Sequence, residues 1–177
     1  MTAPMSSAEL LDAADLLVAQ DTAARPRPGH VRRAISSAYY ALFHELVNEA
    51  VQRVAGSDPS RQTERDVMSR WYSHGDLATV ATWVIARAEA RKIPDPVGPL
   101  LSSPAADLVT LAQCFVTLHR ARRDADYARA AVLTGEDGRQ YIAMSRAAIA
   151  QLPGLAGDRG YESYLRLLLG GPRIATR

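Results

Sequence analysis

Two polar segments, each set within a stretch that otherwise has the pattern of a core-facing helix, constrain this chain most strongly. Residues 33–44 read Arg-Ala-Ile-Ser-Ser-Ala-Tyr-Tyr-Ala-Leu-Phe-His, and residues 122–127 read Arg-Arg-Asp-Ala-Asp-Tyr. Burying such polar groups is costly unless they are paired. The two segments therefore predict that two helices of one small protein meet through a shared polar layer.

The distribution of apolar residues predicts an all-α fold. No segment alternates with a period of two, whereas most segments show the helical period. We therefore expect an up-and-down bundle of five or six helices. With 177 residues, 47% of them apolar and 23% charged, the chain has the size and composition of one globular domain. This domain is predicted over residues 1–177, with a core from about residue 8 to 169 and a short C-terminal tail.

Capping and breaking residues predict the boundaries of the helices. Ser6 and Glu9 have the spacing of a capping box, so the first helix is expected to begin there and to end near Ala24. The other expected helices cover residues 30–55, 61–90 with a break at 74–76, 104–133, 136–152 and 161–169.

Composition also predicts a cellular setting. Cys114 is the only cysteine, which favours a reducing compartment. No apolar run is long enough to cross a bilayer, and the first residues lack the pattern of a signal peptide. We therefore expect a cytoplasmic protein without membrane association. Because no metal-ligand spacing or phosphate-binding glycine loop occurs, no metal and no cofactor are predicted.

Candidate site residues come from both polar segments. Four polar residues of the second helix are spaced four, three and four positions apart and share an arc of about 60°: Arg33, Ser37, Tyr40 and His44. On the fourth main helix an apolar stripe ends in Arg122, with Asp126 one turn further on and His119 beside it. This arrangement favours a shared polar cluster, and a solvated ion pair between Arg122 and Asp126 is the alternative.

A third motif, Arg-Trp-Tyr-Ser-His-Gly at residues 70–75, lies between the two polar segments. The three motifs, in this order, resemble the landmark segments of HEPN-domain proteins, and the resemblance covers about residues 8–169. It implies a compact helical bundle that is often a homodimer. Many HEPN proteins are metal-independent endoribonucleases, including toxins paired with nucleotidyltransferase antitoxins. Others bind RNA or dimerise without catalysis.

The motif of the nuclease members is incomplete in this chain. They carry Arg-x(4–6)-His, whereas Tyr127 stands at the fifth position after Arg122 and no histidine follows it. Whether the protein is an enzyme therefore stays open. In a nuclease, His44 or His74 would transfer a proton, Arg122 would stabilise charge on the phosphate, and Tyr127 would orient it. The candidate binding residues are Arg33, Ser37, Tyr40, Arg70, His119 and Asp126.

Two functional hypotheses follow. The first is a HEPN-like homodimer that binds RNA or a nucleotide in a groove between the second and fourth main helices, with a nucleotidyltransferase-type antitoxin as a further partner. The second is a non-catalytic structural, dimerisation or protein-interaction module, in which the polar cluster only fixes the register of the helices.

Overall fold

The protein is all-α over the residues that the structure, a computed structural model, describes: 6–22 and 24–175. These residues form eight α-helices and no β-strand, so the predicted fold class is confirmed and the predicted number of five or six helices is wrong. The helices are α1 Ser7–Ala19, α2 Pro28–Ala55, α3 Gln62–Ser69, α4 His74–Ala88, α5 Ala106–Tyr127, α6 Gly135–Gln151, α7 Arg159–Leu168 and α8 Gly171–Ala175.

Two turns account for the additional helices. The helical region predicted over residues 61–90 is interrupted before His74 and not at 74–76, because Ser73 begins a new helix there. Its Oγ accepts a hydrogen bond from the backbone N–H of Asp76 at 3.0 Å. The expected C-terminal tail contains α8, which follows Gly170 at a φ of 102°, a conformation that favours glycine.

Side chains cap the N-terminal ends of helices α1 and α6. The capping box predicted at Ser6 and Glu9 is present at the start of α1. Helix α6 begins in the same way: the backbone N–H of Thr134 donates to Asp137 Oδ2 at 2.8 Å, and that of Asp137 donates to Thr134 Oγ1 at 3.2 Å. These reciprocal hydrogen bonds use N–H groups that a helix leaves without internal partners.

The chain divides into two compact units, and both α2 and α5 contribute to each. The first unit contains the described residues up to His44 together with residues 117–150. The second contains residues 45–116 and the described residues from 151 onwards. The single domain expected over the whole chain stays a prediction.

Close contacts hold α6 against two helices of the first unit. A Cβ atom at Gly138 would lie 2.8 Å from Val18 Cγ2, so a residue without a side chain lets α6 approach α1 closely. Ser145 Oγ is buried and donates a hydrogen bond to the carbonyl oxygen of Ala38 at 2.7 Å, which ties α6 to α2. The core residues that α2 supplies to this unit include Ile35, Tyr39 and Leu42, all fully buried.

In the second unit, α4 packs against α7, α8 and the short 3-10 turn at residues 98–101. Arg65 is buried on α3, and its guanidinium donates to the carbonyl oxygens of Gly56 and Asp58 at 2.7 and 2.8 Å. The charge of Arg65 is therefore used to fix the turn that follows α2.

The C-terminal end of α5 depends on Arg32, a half-buried residue of α2. The guanidinium group of Arg32 donates hydrogen bonds of 2.7 to 3.4 Å to five backbone carbonyl oxygens: those of Asp124, Ala125, Ala128, Arg129 and Ala131. The last carbonyl groups of a helix have no internal partner. Because Arg32 supplies one, α5 ends at Tyr127, and the predicted continuation to Leu133 is wrong.

We expect Arg32→Gln to lower the free energy of unfolding by about 2 kcal/mol, because several carbonyl groups lose a charged donor. The urea midpoint, measured by circular dichroism, checks this. Arg33→Gln is the matched control, because Arg33 is the next residue along the chain and its side chain is exposed. This substitution should change the free energy of unfolding by no more than about 0.5 kcal/mol. Equal midpoints for the two variants would contradict the assignment of the helix end to Arg32.

Candidate functional site

A polar cluster in the first unit joins α2 to α5. Arg122 Nε lies 2.7 Å from Asp126 Oδ2, and Arg122 Nη2 donates a hydrogen bond to Tyr40 Oη at 3.0 Å. Asp126 Oδ1 accepts a hydrogen bond from Ser36 Oγ at 2.6 Å. We call Ser36, Tyr40, Arg122, Asp126 and Tyr127 the Arg122 cluster. The side chains of Arg122 and Asp126 are only 14% and 26% exposed, so this ion pair is not freely solvated.

Two tyrosine rings flank the guanidinium group of Arg122. Its central carbon lies 5.6 Å from the centroid of the Tyr40 ring and 5.3 Å from that of the Tyr127 ring, within the range of cation–π interaction. Tyr127 is the last residue of α5 and is 70% exposed. Arg122 therefore supports an aromatic side chain that stands largely in solvent.

Two histidines reach this cluster through tyrosine rings. The ring of His44, an exposed residue, lies 6.0 Å from the ring of Tyr40 at an interplanar angle of 24°. The ring of His119 lies 5.7 Å from that of Tyr39, which in turn is 5.4 Å from that of Tyr40. The first unit thus brings His44, His119 and Arg122 around one pair of tyrosines.

The surroundings of these residues set their charges. Burial lowers the pKa of His119, and the positive charges of Arg123 and Arg122 lower it further, so the imidazole is neutral at pH 7. Burial alone would lower the pKa of Arg122. Its hydrogen bond to Tyr40 and the nearby Asp126 outweigh that effect and raise the pKa, so the guanidinium stays charged. The cluster therefore combines a fixed cation with a neutral imidazole nearby.

Two of the four residues of α2 that were predicted to form the polar cluster, Arg33 and Ser37, do not contact it through hydrogen bonds in the part of the chain that the structure describes. Arg33 is exposed and Ser37 is buried, and among the described residues no hydrogen bond joins either of them to the Arg122 cluster. Their neighbours Arg32 and Ser36 make the contacts with the end of α5 instead. Residues 32, 36 and 40 are spaced four apart on one helix face. That spacing was the sequence signal for this row.

The motif at residues 70–75 lies in the second unit, whereas every residue of the Arg122 cluster belongs to the first. Arg70 is exposed and follows the last residue of α3. His74 is half-buried and is the first residue of α4, next to the capping residue Ser73. A role for Arg70 in binding or for His74 in catalysis stays a prediction.

Three further observations concern ligands and relatives. Within residues 6–22 and 24–175, no group of three or more His, Cys, Asp and Glu side chains is arranged to hold a metal ion. Over the same ranges, no helix has both the length and the apolar character needed to cross a membrane. No protein-family model, curated protein or solved structure matches the chain.

The lowered pKa of His119 predicts a pH-dependent stability. The unfolded chain takes up a proton on this histidine near pH 6.5, whereas the folded protein does so only at lower pH. Stability should therefore fall as the pH is lowered through 6.5, because the unfolded state binds more protons. In the His119→Gln variant, the decrease in stability that arises from protonation of His119 should be absent. The urea midpoints of both proteins at pH 5.5 and 7.5 check this prediction. If the midpoint changes by the same amount in both proteins between these pH values, the prediction is wrong.

Proposed function

We propose that this protein binds RNA at the first unit, in the manner of HEPN-domain proteins. The observation that carries the proposal is the arrangement of Arg122. Its Nε faces Asp126 and its Nη2 binds Tyr40, while among the described residues Nη1 has no hydrogen-bond acceptor. A guanidinium held in this way would still have the N–H groups of Nη1 to offer to a ligand, and phosphate oxygen is a favoured acceptor for arginine.

The distribution of charge supports a polyanionic ligand. The first unit carries ten arginines and eight acidic residues, so the chain's formal net charge of +2 resides in this unit. Arg32 is engaged by backbone carbonyl groups. The exposed residues Arg120 and Arg123, three positions apart on α5, are further cations that would meet phosphate groups, in addition to Arg122.

The same residues support a nuclease form of the proposal. Tyr40 contacts both His44 and Arg122, so a phosphate lying over Tyr40 would be near a proton-transfer group and a cation. His44 would accept the proton of the 2′-hydroxyl as its oxygen bonds to phosphorus, while the bond from phosphorus to the 5′-oxygen breaks and that oxygen takes a proton from water. Arg122 would stabilise the charge on the phosphate. Tyr127 would orient the phosphate. The motif resemblance extends this form to a cytoplasmic homodimer with a nucleotidyltransferase-type antitoxin as partner.

One observation favours the second candidate, a structural or interaction module. Both carboxylate oxygens of Asp126 already have partners, Ser36 on α2 and Arg122 on α5. A hydrogen bond and an ion pair on the same carboxylate fix the register of two helices without any ligand. In this case the protein would act by dimerisation or by binding another protein, and that association would hold or strengthen as salt rises.

Two double variants with equal charge test RNA binding. We expect Arg120→Gln with Arg123→Gln to weaken binding of a labelled RNA and to reduce the slope of log K against log salt by about 2, since two phosphate contacts are lost. Arg159→Gln with Arg166→Gln removes two exposed arginines of the second unit and should leave the slope unchanged. Fluorescence anisotropy at four salt concentrations measures both.

Two results would count against RNA binding at this face. Equal slopes for the two double variants would show that these arginines of α5 do not meet phosphate groups. If the unchanged protein binds no RNA at low salt, and its self-association holds or strengthens as salt rises, the structural module becomes the better account.

The nuclease form predicts cleavage of structured RNA in the presence of EDTA. His44→Ala should abolish the cleavage, because the proton-transfer group is lost. Thermal melting of this variant checks that the fold is kept. The variant His74→Ala tests the other histidine that was predicted as a candidate for proton transfer. Gel analysis of the products at high protein concentration measures this. Absence of products from the unchanged protein would remove the nuclease form and leave RNA binding standing.

A further inference from the structure

We infer that Tyr127 is a platform on which an unpaired RNA base stacks, so that the first unit selects single-stranded over double-stranded RNA. The inference rests on the proposed RNA binding and adds the class of RNA and a different role for Tyr127. The first unit combines an exposed aromatic ring, a cation in contact with that ring, and further cations along the same helix.

The Tyr127 ring is both exposed and supported. Its side chain is 70% exposed, although tyrosine usually buries most of its ring. The guanidinium carbon of Arg122 lies 5.3 Å from the ring centroid, and Arg122 is itself held by Asp126 and Tyr40. An exposed ring that is held in this way loses little conformational freedom on binding, which favours a flat ligand on its open side.

The helix that presents Tyr127 also presents cations. Arg120 and Arg123 precede it by seven and four positions, a spacing that places all three residues along one face of α5. Both arginines are exposed, as is Arg129 in the turn that follows. Asp124 is an exposed acidic residue of the same stretch and reduces the excess of positive charge without reversing it. A strand along this face would meet arginine along its phosphates and the ring at a base.

Single-stranded RNA satisfies this arrangement better than a duplex. Bases inside a duplex are stacked on both faces, so none of them presents a free surface to a protein ring. Unpaired bases do, and proteins that bind single strands combine aromatic platforms with a basic groove for this reason. The phosphates alone would attract either form. The ring is what should distinguish them.

The test compares two substitutions of Tyr127 in the full chain. We expect Tyr127→Leu to weaken binding of a labelled 12-nucleotide single strand by about tenfold, since stacking is lost. Binding of the 12-base-pair duplex should change by less than about twofold, because the arginines are untouched. Tyr127→Phe keeps the ring and should therefore keep the preference for the single strand that Tyr127→Leu loses. Val132→Ala alters another exposed apolar residue and serves as a control.

The outcomes separate the inference from the proposed function. If the unchanged protein binds neither RNA, RNA binding itself is wrong. If it binds RNA but Tyr127→Leu and Tyr127→Phe bind the single strand equally well, the stacking role is overturned. An equal loss for single strand and duplex in Tyr127→Leu also overturns it. Thermal melting of each variant, together with the ring-retaining Tyr127→Phe, distinguishes lost stacking from a damaged fold.

Discussion

The geometry of the first unit depends on the carboxylate of Asp126. One of its oxygens binds Ser36 on α2 and the other faces Arg122 on α5, and Arg122 in turn holds Tyr40 and supports Tyr127. Removing any member of a partly buried network leaves its partners without hydrogen bonds in a medium of low dielectric constant. The contacts that join the two helices are therefore the same contacts that shape the candidate site.

This dual use explains why two functional hypotheses arise from the same residues. A closed network fixes the register of two helices, whereas a network with a donor left over also binds a ligand. The Arg122 cluster has both properties, because Asp126 is fully engaged while Arg122 keeps a nitrogen without an acceptor among the described residues. Only measurements that separate stability from binding distinguish the two roles. The exposed arginines of α5 allow this, since they lie outside the network.

Local signals predicted the beginnings of helices better than their ends. The capping box at Ser6 and Glu9 lies within four residues of sequence, and the structure contains it. The end of α5 was predicted six residues too late, because its determinant, Arg32, is distant in sequence. The break before α4 was predicted from Gly75, although the side chain of Ser73 determines the start of that helix. A helix tolerates glycine in its first turn, whereas a capping side chain defines the turn.

The candidate site was predictable on α5 and less so on α2. An apolar stripe that runs into Arg122 favoured a polar cluster shared by this arginine and Asp126, and the structure joins both to residues of α2. On α2 the row with Arg33 and Ser37 and the row with Arg32 and Ser36 both fit the helical period around Tyr40. The sequence of one helix does not distinguish them, because the carbonyl groups and the carboxylate that favour the second row belong to α5 and to the turn that follows it.

The way in which α5 ends also has a consequence for the order of folding. The hydrogen bonds of Arg32 join residues 92 to 99 positions apart in the chain. A long loop must close before these bonds form, and its entropic cost is met only when other contacts already hold the ends together. The last turn of α5 should therefore take its final form late in folding.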